Sequence, residues 1–430
     1  MNHYLKHNTT HSVIRALSRL AFRQQTCLHI KEHSFCTHTP HEIELNTLLK
    51  RHEQYQIESS TLPQFLHVEP TGVFVQNEVN LAKILVYGFD YDYTLASYTE
   101  HLDELIFDNA RTFLVERLNY PEALYHLRLN PKFAVRGLHY DIKRALLMKL
   151  DAFKNIQLDT VYHGLSQVAK DTVRELYQGD HIPKAALHSS ARREIIQLMD
   201  FFVIPEINLL SNIIEYFERH GVKYEASFVY NDVSTAVRSL HKSGFLHSEI
   251  MKNPEKYIKP NQNLRALLER LVNNKRQLFV ITNSPAKFMY DPNHGMNFLV
   301  GKDWKEFFEV IIVNSNKPGF FQESSRIFRE INEADVYTNF EEVKALLPGH
   351  MYSGGCLNQL NALKKWPSRS LLYFGDHVYS DLADATNIQG WMTGAIVPEL
   401  EREINAINSE TLQKQLHKLR LLEALIGDTQ

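Results

Sequence analysis

The sequence predicts an α/β protein built on a parallel sheet with a large insertion, and three observations carry that expectation. Four short apolar runs, Ile84–Phe89, Gln277–Ile281, Val310–Val313 and Leu371–Phe374, have the length and composition of strands buried on both faces. Each run leads into polar, reactive residues, and ligands of open parallel sheets bind beyond the carboxyl ends of the strands. Finally, about 190 residues separate the first of these strand ends from the second, far more than one crossover helix needs.

In chain order, Pro63 and Pro70 mark turns in a mixed stretch before the first strand. Helical periodicity then runs from about Leu102 to Leu118, and the alternating stretch Gly137 to Leu150 reads as a hairpin. Residues 152–270 read as largely helical, with helices expected near 191–201, 205–219 and 231–243. After Pro398 the composition is helical again, and Leu412, Leu416, Leu419 and Ile426 fit a helix packed on its own domain better than a coiled coil. The expected organisation is an extension at 1–45, a catalytic core from 46–95 and 271–400, a mainly helical cap at 96–270, and a helical segment at 401–430.

Composition narrows the function classes. Of 430 residues, 44% are hydrophobic and 23% charged, which excludes wholesale disorder. A net charge of −3 argues against a generic nucleic-acid binder, and no apolar run approaches the length of a membrane helix. Cys27, Cys36 and Cys356 are too few for a disulfide framework. The first 31 residues carry Lys6, Arg15, Arg19, Arg23 and Lys31 and no acid; on a helix the three arginines form one basic stripe. A basic, acid-free, amphipathic start reads as a mitochondrial transit peptide, with cytoplasmic residence the expectation otherwise.

Chemistry concentrates at the strand ends. In Phe89-Asp90-Tyr91-Asp92-Tyr93-Thr94-Leu95 the carboxylates of Asp90 and Asp92 point the same way from an extended segment and can address one ligand. Two unit charges 4 Å apart repel by about 4 kcal/mol at an effective dielectric near 20, so such a pair reads as a metal site, an acid/nucleophile pair, or both. Thr282-Asn283-Ser284 offers a hydroxyl and an amide suited to phosphate oxygens; alone it would read as the start of a helix with Pro285 at the first position. A lone Lys317 would read as a surface residue. Asp376 follows Gly375, where the backbone can approach closely, and Asp381 follows five residues later.

Together these segments resemble the haloacid dehalogenase superfamily of aspartate-nucleophile phosphatases. Gly88–Ala96, Lys317-Pro318-Gly319-Phe320-Phe321, Gly349–Gly355 and Tyr373–Asp381 resemble the cytosolic purine 5'-nucleotidase family, and Gly390–Leu400 resembles its 5'-nucleotidase domain-containing branch. The resemblance spans roughly residues 60 to 425 and implies a Rossmann-like core with a cap inserted after the first core strand. It implies that Asp90 is the nucleophile and Asp92 the proton donor. Thr282 and Asn283 would bind phosphoryl oxygens, and Lys317 would neutralise the phosphate and Asp90. Asp90, Asp376 and the Asp92 backbone carbonyl would hold Mg²⁺, with Asp381 orienting a metal-bound water or Lys317. It implies homo-oligomeric assembly as well. Within Tyr230–His247, His241 fits the family pattern, whereas Ser234 and His247 stand where those relatives tend to carry Arg and Lys.

The leading expectation is therefore a Mg²⁺-dependent 5'-nucleotidase acting on a small-molecule phosphate monoester. Two other readings use the same fold: a catalytically weak scaffold, and a phosphatase of another small phosphoester.

Overall fold

In the computed structural model, residues 67–427 are described except 76–77, 184–186, 188–193, 292–294 and 333–336, together with isolated residues 50, 53 and 57. The expected transit segment at 1–45 lies outside the described residues. The described residues fall into two compact units, Val79–Ile396 and a second in which those before 79 join those from Val397 onward.

The larger unit begins with strand β1 (Val86–Phe89), after which α1 (Glu100–Leu118) fills the expected helical stretch and ends on Asn119 in the left-handed conformation. An antiparallel sheet follows, made from β2 (His139–Asp141), β3 (Leu146–Met148), β4 (Tyr162–His163), β5 (Ser166–Gln167) and β6 (Ile195–Gln197) in the order β5-β4-β3-β2-β6. The hairpin expected at 137–150 is β2 and β3. Of the helix expected near 191–201, residues 191–193 lie outside the described residues, and Ile195–Gln197 forms instead the edge strand β6, whose pairing to β2 outweighs the local helical composition. Between β5 and β6 lies α2 (Lys170–Tyr177); beyond β6 come α3 (Val203–His220), α4 (Ala226–Lys242), α5 (Phe245–Lys252) and α6 (Gln262–Asn273). A helix dominates this stretch as expected, but the five-stranded sheet was legible only as one hairpin.

The chain then returns to the first sheet with β7 (Gln277–Ile281), β8 (Val310–Val313), β9 (Phe328–Asn332), β10 (Tyr337–Thr338), β11 (Met351–Gly354), β12 (Leu371–Gly375) and β13 (Met392–Ala395). The order is β10-β9-β11-β8-β7-β1-β12-β13, with β8, β7, β1, β12 and β13 parallel to their neighbours and β9 antiparallel to β10 and β11. Successive strand residues enter opposite cores: Leu278, Val280, Ile311 and Val313 belong to the core that also holds the buried side chains of α1, α3 and α4, while Phe279, Ile281, Val310 and Ile312 belong to the one that holds Phe320, Phe321, Leu357 and Trp391. Burial on both faces is why these strands are uninterrupted apolar runs. At the middle of β1, a Cβ on Gly88 would fall 2.1 Å from the Phe279 ring, so only glycine lets the two central strands sit together.

In the smaller unit, α7 (Glu399–Ile407) and α8 (Glu410–Gly427) fulfil the helical expectation after Pro398. Asn408 ties this unit together: its Oδ1 accepts from Val68 N at 3.0 Å and its Nδ2 donates to Val68 O at 2.7 Å.

Candidate active site

Parallel pairing brings the carboxyl ends of β1, β7 and β12 side by side, so residues far apart in sequence meet at one sheet edge. Asp90 follows β1, its N–H donating to Phe374 O at 2.8 Å and its Oδ1 accepting from Tyr91 N at 2.7 Å. Lys317 reaches in from the segment after β8. Its Nζ lies 2.7 Å from Asp90 Oδ1 and 2.8 Å from Asp381 Oδ1, in a side chain only 2% exposed. Burial alone would pull the ammonium's pKa down, but Asp381 and Asp90 outweigh it and the pKa is raised. Tyr373 Oη, 3.3 Å from Nζ, donates to Ile281 O at 3.3 Å.

Asp376 and Asp381 occupy the turn after β12. Gly375 permits it: a Cβ there would lie 2.5 Å from Asp381 Cβ. His377 N donates to Asp381 Oδ2 at 3.2 Å, fixing this carboxylate beneath the turn. Asp90, Asp376 and Asp381 each present an oxygen within 4.8 Å of the others'. Burial raises the Asp90 pKa well above the usual carboxylate value, against the pull of Lys317, with Asp381, Asp92 and Asp376 adding to the rise. Burial likewise pushes Asp376 up to about 7, reinforced by Asp381 and Asp200 and opposed by Arg136 and Lys317. Three buried carboxylates against Lys317 and Arg136 leave the cluster short of positive charge. An all-oxygen donor set of this kind fits a hard divalent cation.

Asp92 stands apart from that cluster. Its Oδ1 accepts from Tyr98 Oη at 2.6 Å and its Oδ2 from Ser284 Oγ at 2.8 Å. Thr282 Oγ1 accepts from Ser284 N at 2.9 Å, which leaves its hydroxyl proton to donate elsewhere. The Asn283 side chain is turned to the lysine loop: Oδ1 accepts from Lys317 N at 2.7 Å and Ser315 Oγ at 2.8 Å, and Nδ2 donates to Lys317 O at 3.2 Å. Asn283 thus positions Lys317 through its backbone.

The intervening segment supplies an aromatic wall. Tyr93 stacks on Phe201 at 4.4 Å and meets Tyr98 and Phe202 edge-on at 5.1 and 5.2 Å, while Phe202 meets His241 edge-on at 5.2 Å. His247 lies against Phe288 at 4.4 Å. Burial, aided by His247, lowers the His241 pKa to about 4, and burial lowers that of His247; both rings are neutral near pH 7.

Sequence reasoning brought Asp90, Asp92, Thr282, Asn283, Lys317, Asp376 and Asp381 to this edge but missed Tyr98, Ser284, Tyr373 and Arg136. Ser284 and Tyr373 sit inside motifs already singled out. Tyr98 and Arg136 are ordinary-looking residues whose roles arise only from packing. Arg136 Nη1 lies 3.1 Å from Asp376 Oδ2.

Comparison with known proteins agrees with the geometry. The sequence pattern described as the 5' nucleotidase family matches residues 73–430. The chain is 43% identical over 363 residues to 5'-nucleotidase domain-containing protein 2 of Homo sapiens, covering 84% of this chain and 68% of that protein. The corresponding Rattus norvegicus protein is also 43% identical over 363 residues, with 64% of it covered. A 5'-nucleotidase domain-containing protein of Dictyostelium discoideum is 37% identical over 370 residues, with 61% covered. The matched region spans about two thirds of the length of these relatives.

Proposed function

This chain belongs to the 5'-nucleotidase family, with the site of a nucleotidase-type phosphohydrolase, and we propose that it hydrolyses nucleoside 5'-monophosphates through an aspartyl-phosphate on Asp90. The observation that carries this reading is Lys317, buried and bridging Asp90 to Asp381 beside a third carboxylate, Asp376. A buried lysine held between two carboxylates pulls the Asp90 pKa down against the effect of burial and so favours the ionised, nucleophilic form.

An Asp90 oxygen attacks phosphorus in line, and the bond from phosphorus to the nucleoside 5'-oxygen breaks. Asp92 gives its proton to that leaving oxygen. Water then attacks the phosphorus of the aspartyl-phosphate while Asp92 takes back a proton, releasing inorganic phosphate and restoring Asp90. Lys317 and the Thr282 hydroxyl face the phosphoryl oxygens. Asp90 and Asp376, with the Asp92 backbone carbonyl, are the groups that would hold Mg²⁺, and Asp381 orients Lys317. A bound ion would neutralise phosphate charge so that one anion can approach another.

Residues 96–270 act as the cap that selects the substrate. The aromatic wall of Tyr93, Tyr98 and Phe202 and the neutral rings of His241 and His247 support recognition by stacking and neutral hydrogen bonds rather than by further positive charge. Among the described residues no helix is long and apolar enough to cross a membrane. The basic segment at 1–45 serves as a mitochondrial transit peptide; a reporter fused to residues 1–40 that stayed in the cytosol would count against this.

A panel of phosphomonoesters assayed with Mg²⁺ tests the main reading. Turnover of nucleoside 5'-monophosphates above sugar phosphates is expected; preference for a non-nucleotide ester rejects the substrate, and no turnover of any ester rejects the activity.

A further inference from the structure

Arg136 belongs to none of the strand-end motifs. It precedes β2, in the intervening segment, yet it reaches the catalytic edge of the other sheet. Its Nη1 donates to the main-chain oxygen of Asp376 at 2.8 Å and to Oδ2 of the same residue at 3.1 Å. The two side chains are 10% and 8% exposed, so this contact is nearly closed to water. The guanidinium carbon lies 3.6 Å from the centroid of the Phe201 ring. Phe201 in turn stacks on Tyr93 at 4.4 Å and 29°, next to Asp92 in the chain. One planar cation therefore grips both the backbone and the carboxylate of Asp376, and an aromatic stack clamps that cation against the loop of Asp90 and Asp92.

We propose that Arg136 is a positioning residue for Asp376: its guanidinium, fixed against Phe201, sets the orientation in which Asp376 joins the other carboxylates around a divalent cation. Metal binding at the sheet edge thereby depends on the intervening segment being packed in place. The inference rests on the metal-binding reading of the site. Charge alone is a poor account of the arginine, because a positive group beside a divalent cation repels it. Geometry is the better account. A guanidinium presents several donors in a fixed plane and stacks on an aromatic face, whereas an ammonium does neither. Partners that orient metal ligands in this way are typically worth about 10–100-fold in metal affinity or activity.

Arg136→Lys separates the two accounts, since it keeps the charge and loses the plane. Mg²⁺ alone is titrated calorimetrically into the full chain, as wild type, Arg136→Lys and Phe201→Leu, each first checked by thermal melting. Arg136→Lys is expected to weaken Mg²⁺ binding about 10–100-fold while melting close to the wild type, and Phe201→Leu to weaken it in the same direction by less. In activity assays the Mg²⁺ concentration for half-maximal rate should rise in parallel, with most of kcat recovered at saturating Mg²⁺. Wild-type Mg²⁺ affinity in Arg136→Lys overturns the proposal, as does a wild-type chain that binds no Mg²⁺. If Arg136→Lys fails to fold, Phe201→Leu decides, and unchanged Mg²⁺ affinity there overturns it equally. Loss of Mg²⁺ affinity in a chain that turns over no phosphomonoester would sink the nucleotidase reading and leave this one standing.

Discussion

Lys317 and Asp90 form an ion pair of 2.7 Å in which the lysine side chain is almost wholly withdrawn from water. Breaking a buried pair from one side leaves the other charge uncompensated, which typically costs about 3–5 kcal/mol. Asp90→Asn removes the attacking oxyanion but keeps the shape, so the protein should fold and lose turnover by about 10³-fold or more. Lys317→Met should lose activity as well, and in addition melt at a lower temperature, because Asp90 and Asp381 then face each other with no cation. Turnover in Asp90→Asn equal to the wild type would remove the nucleophile from the mechanism.

Removing divalent metal with a chelator should abolish turnover, and adding back Mg²⁺ should restore it. The carboxylate cluster predicts a selectivity too. Ca²⁺ prefers longer, more numerous oxygen ligands than Mg²⁺, so it should bind and support little hydrolysis. Undiminished rates after exhaustive chelation would show that Lys317 and Arg136 suffice to balance the charge.

Gly375→Ala tests the turn that places Asp381. The added Cβ would stand 2.5 Å from Asp381 Cβ, an atom close to the backbone that has little room to yield. Overpacking of this kind costs about 1–3 kcal/mol, and the displaced carboxylate should let go of Lys317. Activity should therefore fall by more than stability does. Full activity in this variant would mean that Asp381 is not held by the turn.

The apolar strands were legible because burial on both faces leaves no other way to write them. Gln277–Ile281 and Val310–Val313 fall where the sequence places them. The edge strands were not legible. Ile195–Gln197 is three residues long and one of them is exposed, so pairing with β2 decides its state and no local pattern does. The site divides the same way. Residues that end a strand announce themselves, since polar chemistry begins where the apolar run stops. Tyr98, Tyr373 and Arg136 carry no such mark: a tyrosine after a turn, one inside a strand and an arginine before a glycine become part of the site only once the chain has folded.

Asp92 is held by two hydroxyls, Tyr98 Oη at 2.6 Å and Ser284 Oγ at 2.8 Å, one on each carboxylate oxygen. A proton donor that is also tethered at both oxygens has its orientation set before substrate arrives. Ser284→Ala and Tyr98→Phe should each lower kcat about 10-fold with little change in KM, and the double variant should fall short of the product of the two, since both act on one group. An unchanged kcat in both single variants would mean that Asp92 works in another orientation.

His139 links the fold to pH. It lies in β2, is 3% exposed, and its Nδ1 has no hydrogen-bond partner among the described residues. Burial, with a smaller push from Lys154, lowers its pKa to about 4, against about 6.5 in an unfolded chain. The sign follows: above pH 6.5 the ring is neutral in both states and costs nothing. As pH falls from about 6.5 to 4, the unfolded chain takes up a proton that the folded one refuses, and stability is lost. Carboxylates with raised pKa values, such as the half-buried Asp103 at about 7, act in the opposite sense across the same range. The histidine's share is therefore read as a difference between two proteins, not from one curve. His139→Phe should melt with a smaller drop between pH 7 and pH 5 than the wild type does; parallel drops would mean that the imidazole finds a way to ionise inside the sheet.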